Sequence, residues 1–328
     1  MFNVALAGCG RVAGLYDTRG NESVLSHAAG IFSHKELELK AVCDNDASHL
    51  ASFRSQWNVP LAYDSFRRMV ADLTPHLLCI ATPTAMHYEH LRHALRCNIP
   101  LIFVEKPLCE TIHQSREIMR LYAGSTSKVL VNYMRRFNPA LKRIREELLN
   151  GQHGPVVRAH VYYNKGLLHN GSHLIDLVQW VIGPVTDIDH ITYHRPVLED
   201  DMDVDLQLRI NSRIPVSMEV FPFEHYNLLE VDILTEKAMI RLLKGGREIH
   251  VCKGAQDTHF PHLKQLTRIE WPVENPWNTI YRYSYWHCVD ILLGVSEPLA
   301  TLEEAADLVE LVSQIKHSRK KRIKRSVK

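Results

Sequence analysis

A short apolar run at residues 3–7 is followed at once by Gly8-Cys9-Gly10-Arg11-Val12-Ala13. No other feature narrows the fold of this chain as far. A Gly-x-Gly-x-x-Ala turn directly after an apolar strand is how a doubly wound α/β sheet opens its first strand–helix unit. Gly8 permits the tight turn, and Gly10 leaves room for a pyrophosphate against the backbone. Ala13 lets the following helix pack closely on the sheet. That helix, with Arg11 and Val12 in its first turn, would offer unpaired N–H groups to phosphate oxygens.

The rest of the first 132 residues fit that opening. Short apolar segments at 3–7, 37–43, 77–81, 101–105 and 128–132 read as strands covered on both faces. Helix-like stretches at 47–57, 65–72, 87–96 and 112–122 lie between them, which implies right-handed βαβ units. After about residue 135 the pattern changes. A helix is expected over 139–150. Alternating segments follow at 156–163, 187–194, 204–210, 216–221, 228–234 and 239–243, as in an antiparallel sheet with one exposed face. A helix over 173–182 interrupts them, ended by Gly183-Pro184, and two more are expected at 281–293 and 302–315. The expected fold is an α/β Rossmann doubly wound parallel sheet plus an α+β C-terminal domain with an open, mostly antiparallel sheet. The expected division is a Rossmann domain over 1–122, a substrate-binding and oligomerisation domain over 123–316, and a basic tail over 317–328.

Length and composition agree with two globular domains, since the chain has 328 residues, 45% hydrophobic and 23% charged. No window is apolar enough for a membrane span, and the start lacks a signal peptide's basic region and cleavage site, so a cytoplasmic protein is expected. The net charge is 39 − 37 = +2, but the last 13 residues carry eight Lys or Arg and no acid. The remainder is therefore 31 − 37 = −6. Such a tail can hold nucleic acid or an anionic membrane, yet it more often is a solvated terminus, so no nucleic-acid or membrane partner is expected. The seven cysteines include no C-x-x-C pair and sit mostly in apolar runs, where they read as small core residues. His169 and His173, and His259 and His262, have helical spacing, but no ligand set accompanies them and no metal is expected.

Four constellations carry chemistry. Beyond the glycine turn, Asp44 ends the second strand, where a carboxylate accepts from the adenosine ribose and repels a 2′-phosphate. No Arg or Ser follows it immediately, which favours NAD over NADP. An apparent insertion over residues 15–24 explains its distance from the glycines. Thr82 and Pro83, with His87 nearby, end a strand at the carboxyl edge of the sheet, where ligands bind. Glu105-Lys106-Pro107 ends the fifth strand and puts a lysine at the same edge, able to reach cofactor and substrate and to pass a proton. The aromatic run 281–287 reads as core or subunit interface in preference to a stacking platform.

Taken together, GCGRVAG, VCD, ATPT followed by His87, and EKP resemble the glucose–fructose oxidoreductase/inositol dehydrogenase/rhizopine catabolism (Gfo/Idh/MocA) family. The resemblance continues through Asn132-Tyr133-Met134-Arg135-Arg136-Phe137-Asn138-Pro139 and Gly171-Ser172-His173-Leu174-Ile175-Asp176. It implies a nicotinamide-dependent oxidoreductase acting on sugar-like alcohols or ketones, and a homodimer or homotetramer formed through the second sheet. It also implies site residues. Glu105 and Lys106 match the cofactor-binding pair, and Lys106 assists proton transfer. His173 matches the general acid/base, and Asp176 a substrate-side acid. Tyr133, Arg135, His169 and Asn170 stand as candidate substrate contacts, and Arg136 as an alternative to Arg135. One departure stands out: where many members carry an acid four residues before the histidine, this chain has His169. Either Asp176 or His169 orients His173, or Lys106 carries the proton alone. The H-N-G-S-H stretch is similar to that of members encoded with surface-polysaccharide genes, which suggests a nucleotide-sugar substrate. Two other readings are a redox-neutral glycosidase that uses NAD transiently and a non-catalytic NAD or sugar sensor.

Overall fold

The computed structural model describes residues 1–198 and 201–326, with side chains for 1–197 and 201–318. The chain divides into two units: Met1–Phe137 with Pro276–Ser313, and Asn138–Asn275 with 314–328. The sequence placed the division at residue 122 and assigned the helices beyond residue 280 to the second domain. Contacts instead group α8 (Ile280–Leu292) with the first unit. The reason lies in its buried face: Tyr281 and Tyr285 are 4% and 0% exposed and pack against α1 (His27–Phe32).

The first unit runs β1 (Phe2–Ala7), α1, β2 (Leu37–Cys43), α2 (Ala47–Trp57), β3 (Leu61–Tyr63) and α3 (Phe66–Leu73). It continues with β4 (Leu77–Ile80), α4 (Thr84–Arg96), β5 (Leu101–Val104), α5 (Ile112–Tyr122) and β6 (Lys128–Val131). All six strands are parallel, in the order β3-β2-β1-β4-β5-β6. The order reverses between β1 and β4, so the crevice at their carboxyl ends is the topological switch point where such sheets take ligands. The strands read as continuous apolar runs because helices cover both faces; Val4–Leu6, Leu77–Ile80 and Leu101–Val104 are fully buried. The helices start where their caps say: Asp46 accepts from Ser48 and His49 N–H at α2, and Thr111 and Gln114 form a capping box at α5.

The second unit holds α6 (Pro139–Leu149), β7 (Val156–Tyr163), α7 (Ser172–Ile182) and β8 (Val185–Leu198). Then come β9 (Asp201–Ile210), β10 (Ile214–Val220), β11 (Leu229–Thr235), β12 (Ala238–Leu243), β13 (Glu248–Gln256) and β14 (Lys264–Arg268). The eight strands are ordered β14-β13-β12-β11-β7-β10-β9-β8, all antiparallel except the β7–β10 pair. The mostly antiparallel sheet expected from alternation is therefore present, two strands larger than the sequence indicated. The final helix, α9, runs Leu302–Ser326, well past the expected end at 315. Residues 302–326 contain no Gly or Pro to stop a helix. The expected basic tail thus begins as helical backbone; its side chains from 319 on and residues 327–328 lie outside the described residues. Among the described residues, no helix is long and apolar enough to cross a membrane. All seven cysteines are free, and five are buried.

Candidate active site

The glycine turn is built as its sequence demands. Gly8 has φ +98°, and a Cβ there would stand 2.5 Å from the carbonyl oxygen of Ala81. Only glycine combines that backbone conformation with that approach of β1's end to β4's. At Gly10 a Cβ would meet nothing within 4 Å, leaving open space beside the backbone. One expectation needs correcting. A regular helix does not follow the motif; Arg11–Leu15 form a single wide π turn in which Gly10 O accepts from both Gly14 and Leu15 N–H. The amides at the beginning of that turn precede its first bonded donor and remain available. The regular helix α1 begins only after the inserted loop. Asp17, 3% exposed, organises that loop by accepting from Ser23 Oγ, Leu25 N–H and Ser26 Oγ.

Asp44 stands at the end of β2. Its Oδ2 accepts from Cys9 N–H at 2.7 Å and its Oδ1 from Asp46 N–H at 2.9 Å. The α2 cap is Asp46, so Asp44 is not spent on capping. Around Asp44 opens a cleft of about 390 Å³, bordered by Asn45, Thr82, Pro83 and His90 and, from α3, Arg67. Arg67 escaped the sequence reading, which looked for a cation only beside Asp44. His90 stacks on Phe66 with ring centroids 4.0 Å apart. Burial, helped by the neighbouring His87, pushes it down to about 4, so near neutral pH it gives the cleft an uncharged wall.

Thr82 and Pro83 flank the cleft. His87 does something else: it is 1% exposed, and its Nε2 and Nδ1 each lie 2.8 Å from a carbonyl oxygen, of Thr82 and Pro107. With both nitrogens committed, it braces the β4–α4 turn against the Glu105-Lys106-Pro107 turn. The Lys106–Pro107 peptide is cis. Glu105 Oε1 receives Asn132 Nδ2 at 2.6 Å, His27 Nε2 at 3.0 Å and the Tyr281 hydroxyl at 3.1 Å. Burial works against its charge, but the donors, led by His27, and the Lys106 ammonium outweigh it and hold the carboxyl below its ordinary value. Sequence reasoning missed His27, Asn132 and Tyr281 as a group, because they come from α1, the residue just after β6, and α8.

Tyr133 and Arg135 are 3% and 6% exposed, and the Arg135 guanidinium lies 5.7 Å from the centroid of the Trp277 ring. Arg136, the alternative to Arg135 as a substrate contact, is committed to Glu304 at 2.6 Å and the Leu299 carbonyl at 3.1 Å.

In the second unit, Leu167–Gly171 form another π turn leading into α7. His169 is exposed and Asn170 half-buried; His173 is the second residue of α7, half-buried, with Asp176 buried one turn on. Asp201 of β9, which the sequence reading did not single out, accepts from Leu168 and His169 N–H, each at 2.9 Å, one on each oxygen. Asp203 accepts from Gly166 N–H at 3.1 Å. These acids fix the turn by its backbone. Among the described residues, no group of three or more His, Cys, Asp or Glu is arranged to hold a metal ion.

A parallel sheet with a Gly-x-Gly-x-x-Ala turn, an acid ending β2 and a lysine ending β5 defines a dinucleotide-binding domain. Residues 2–133 match the model of the Gfo/Idh/MocA oxidoreductase family, which has an NAD-binding Rossmann fold. D-glucoside 3-dehydrogenase of Escherichia coli (strain K12) is 28% identical over 200 residues, covering 55% of this chain and 54% of that protein. The chain spans about half the length of the curated relative it matches there. WlbA dehydrogenase from Bordetella pertussis, in complex with NADH and UDP-GlcNAcA, has a TM-score of 0.78 at 17% identity, over 98% of this chain and 96% of that one. Levoglucosan dehydrogenase, in complex with NADH and levoglucosan, has a TM-score of 0.81 at 14% identity, over 98% and 97%. At these identities the solved structures show a shared fold.

Proposed function

We propose that this protein is an NAD-dependent dehydrogenase that oxidises a secondary alcohol of a sugar, reversibly, to the ketone. The observation that supports the reading is the Glu105-Lys106-Pro107 turn just after β5 of an NAD-binding domain, held on one side of the lysine by the bonds to Glu105 and on the other by the His87 bond to the Pro107 carbonyl. The residues present fit the cofactor: Gly8 permits the turn after β1, Gly10 leaves the backbone open for a pyrophosphate, and Asp44 lines the adjoining cleft. NAD, when bound, supplies the hydride acceptor. The protein positions the alcohol and removes its proton. The Lys106 amine takes the hydroxyl proton as the carbinol C–H bond breaks and the carbonyl forms. In this reading His173 and Asp176 serve proton transfer and substrate orientation, and His169, Asn170, Tyr133 and Arg135 are substrate contacts. Asp44 supports NAD over NADP, and Arg67 in the same cleft makes that preference worth measuring directly.

The E. coli relative acts, by its name, on D-glucosides, and the Bordetella structure holds a nucleotide sugar with NADH. Both support a hexopyranose, free or carried on a nucleotide, as the substrate class. The test is NADH appearance at 340 nm with glucosides and UDP-sugars, for the wild type and for Lys106→Met. The expected result is turnover that falls at least about a thousandfold in Lys106→Met with NADH binding retained. Unchanged kcat/KM in that variant overturns the role of the lysine. Product release without net NADH would make the protein a redox-neutral glycosidase; binding without any turnover would make it a sensor.

A further inference from the structure

The bonds to Glu105 do not end at His27. The His27 ring is fully buried, with Nε2 at 3.0 Å from Glu105 Oε1 and Nδ1 at 2.7 Å from the Tyr285 hydroxyl. The same hydroxyl lies 3.1 Å from Cys79 Sγ. These four side chains come from β4, α8, α1 and the turn after β5, and although Glu105 and Tyr285 each fall in a segment read from the sequence, no motif links the four.

The polarity of these bonds follows from chemistry. An ionised carboxylate only accepts, so His27 Nε2 must carry the proton it donates to Glu105. In the neutral ring Nδ1 is then an acceptor, and the Tyr285 O–H donates to it. The Tyr285 oxygen in turn accepts from the Cys79 thiol. Burial pushes the Cys79 thiol up to about 12 and holds the Tyr285 hydroxyl well above its ordinary value, so both keep their protons. With the ring neutral, every donor points toward Glu105, and bonds aligned this way polarise one another. Tyr281 and Asn132 complete the hold, the Asn132 amide donating to Glu105 at 2.6 Å and to the Tyr281 oxygen at 3.1 Å. Burying such a network costs desolvation that apolar packing would avoid, which argues for a use beyond stability.

We propose that His27 is a positioning residue for Lys106, acting through Glu105: a one-way chain of donors from the core pins the carboxylate that stands next to the lysine. The proposal rests on the reading of Lys106 as the proton-transfer group. A fixed, ionised Glu105 favours the ammonium form of Lys106 and limits where its side chain can go. Loss of the chain raises the proton affinity of Glu105 and releases it.

The experiment compares His27→Leu, which removes the donor, with His27→Gln, whose amide N–H can replace Nε2, and Tyr285→Phe, which deletes only the hydroxyl. His27→Leu is expected to lower kcat at least about tenfold while NADH dissociation changes less than about threefold. His27→Gln is expected to recover most of the loss, and Tyr285→Phe to show a smaller drop of the same kind. Wild-type kcat in folded His27→Leu overturns the proposal, as does a loss in His27→Gln equal to that in His27→Leu. A second readout needs no turnover: acetylation of Lys106 by acetic anhydride, followed by peptide mass spectrometry. Without the pinned carboxylate the amine is expected to react at least about threefold faster in His27→Leu, or in Tyr285→Phe should His27→Leu not fold. Equal rates overturn the proposal. If the wild type oxidises no sugar, the proposed function fails while this second readout still decides the positioning.

Discussion

The backbone N–H of Cys9 donates to Oδ2 of Asp44 at 2.7 Å, so the acid that ends β2 is fastened to the glycine turn after β1. Two of the carboxylate's roughly four acceptor directions are used, by Cys9 and Asp46, which leaves others for ribose hydroxyls. Asp44→Ala is expected to weaken NAD binding at least about tenfold in calorimetry, through lost ribose bonds and a loosened turn together. NADP binding should fall less, narrowing the preference. An Asp44→Ala protein that binds NAD like the wild type would leave the acid a structural strut only.

Gly8→Ala sets a methyl group 2.5 Å from the Ala81 carbonyl at a φ of +98°. The neighbour is backbone and cannot swing away. The variant should lose about 2 kcal/mol or more of stability and most of its NADH affinity. Thermal melting and NADH fluorescence titration check the two separately; a stable variant that still binds would contradict the close approach.

Asp201 is the acid that serves the turn before His173, though it lies far from that turn in sequence. Asp201→Ala leaves the Leu168 and His169 N–H groups without their acceptor and should cost about 2 kcal/mol. The melting temperature should fall by several degrees, and kcat should fall more than substrate KM rises, because the turn loses its shape before its contacts. Equal melting temperatures would show that water replaces the carboxylate without loss.

Glu147 accepts from Arg143 Nε and His153 Nε2, each at 2.8 Å, and from Trp271 Nε1. Burial opposes its charge, yet these donors, His153 foremost, hold the carboxyl below its ordinary value. An acid whose folded value is depressed stabilises the protein above its unfolded value of about 4.3 and loses that contribution as pH falls through the folded value. Glu147→Gln should therefore be less stable than wild type by about 1 kcal/mol at pH 7, with the gap closing below about pH 4. Urea unfolding across pH 3–7 measures the gap; a difference independent of pH would remove the charge from the explanation.

Local patterns carried much of this. The apolar runs located β1, β2, β4, β5 and β6, and the Gly8–Gly10 spacing located the glycine turn after β1, because each signal is confined to a few consecutive residues. β3 went unseen, being only Leu61–Tyr63, and so did β13 and β14, since β14 is exposed along its whole length and shows no alternation. The partners of Glu105 were illegible for a different reason. His27, Asn132 and Tyr281 are ordinary residues in their own segments, and only the packing of α1, α8 and the end of β6 makes them one group. Asp201 and His169 are likewise joined by strand placement, which no spacing rule encodes.

In the second sheet β8–β10 form one meander and β11–β14 another, and β7 is the strand that joins them. Within each meander neighbours in space are neighbours in sequence, so those hairpins close short loops at low entropic cost. β7 must instead find Val216 opposite Ala159 on one side and Ile233 opposite Ala159 on the other. Assembly of this unit thus hinges on seating one early-translated strand between two later ones, and mutations on β7 should slow refolding more than equal losses of stability elsewhere in the sheet.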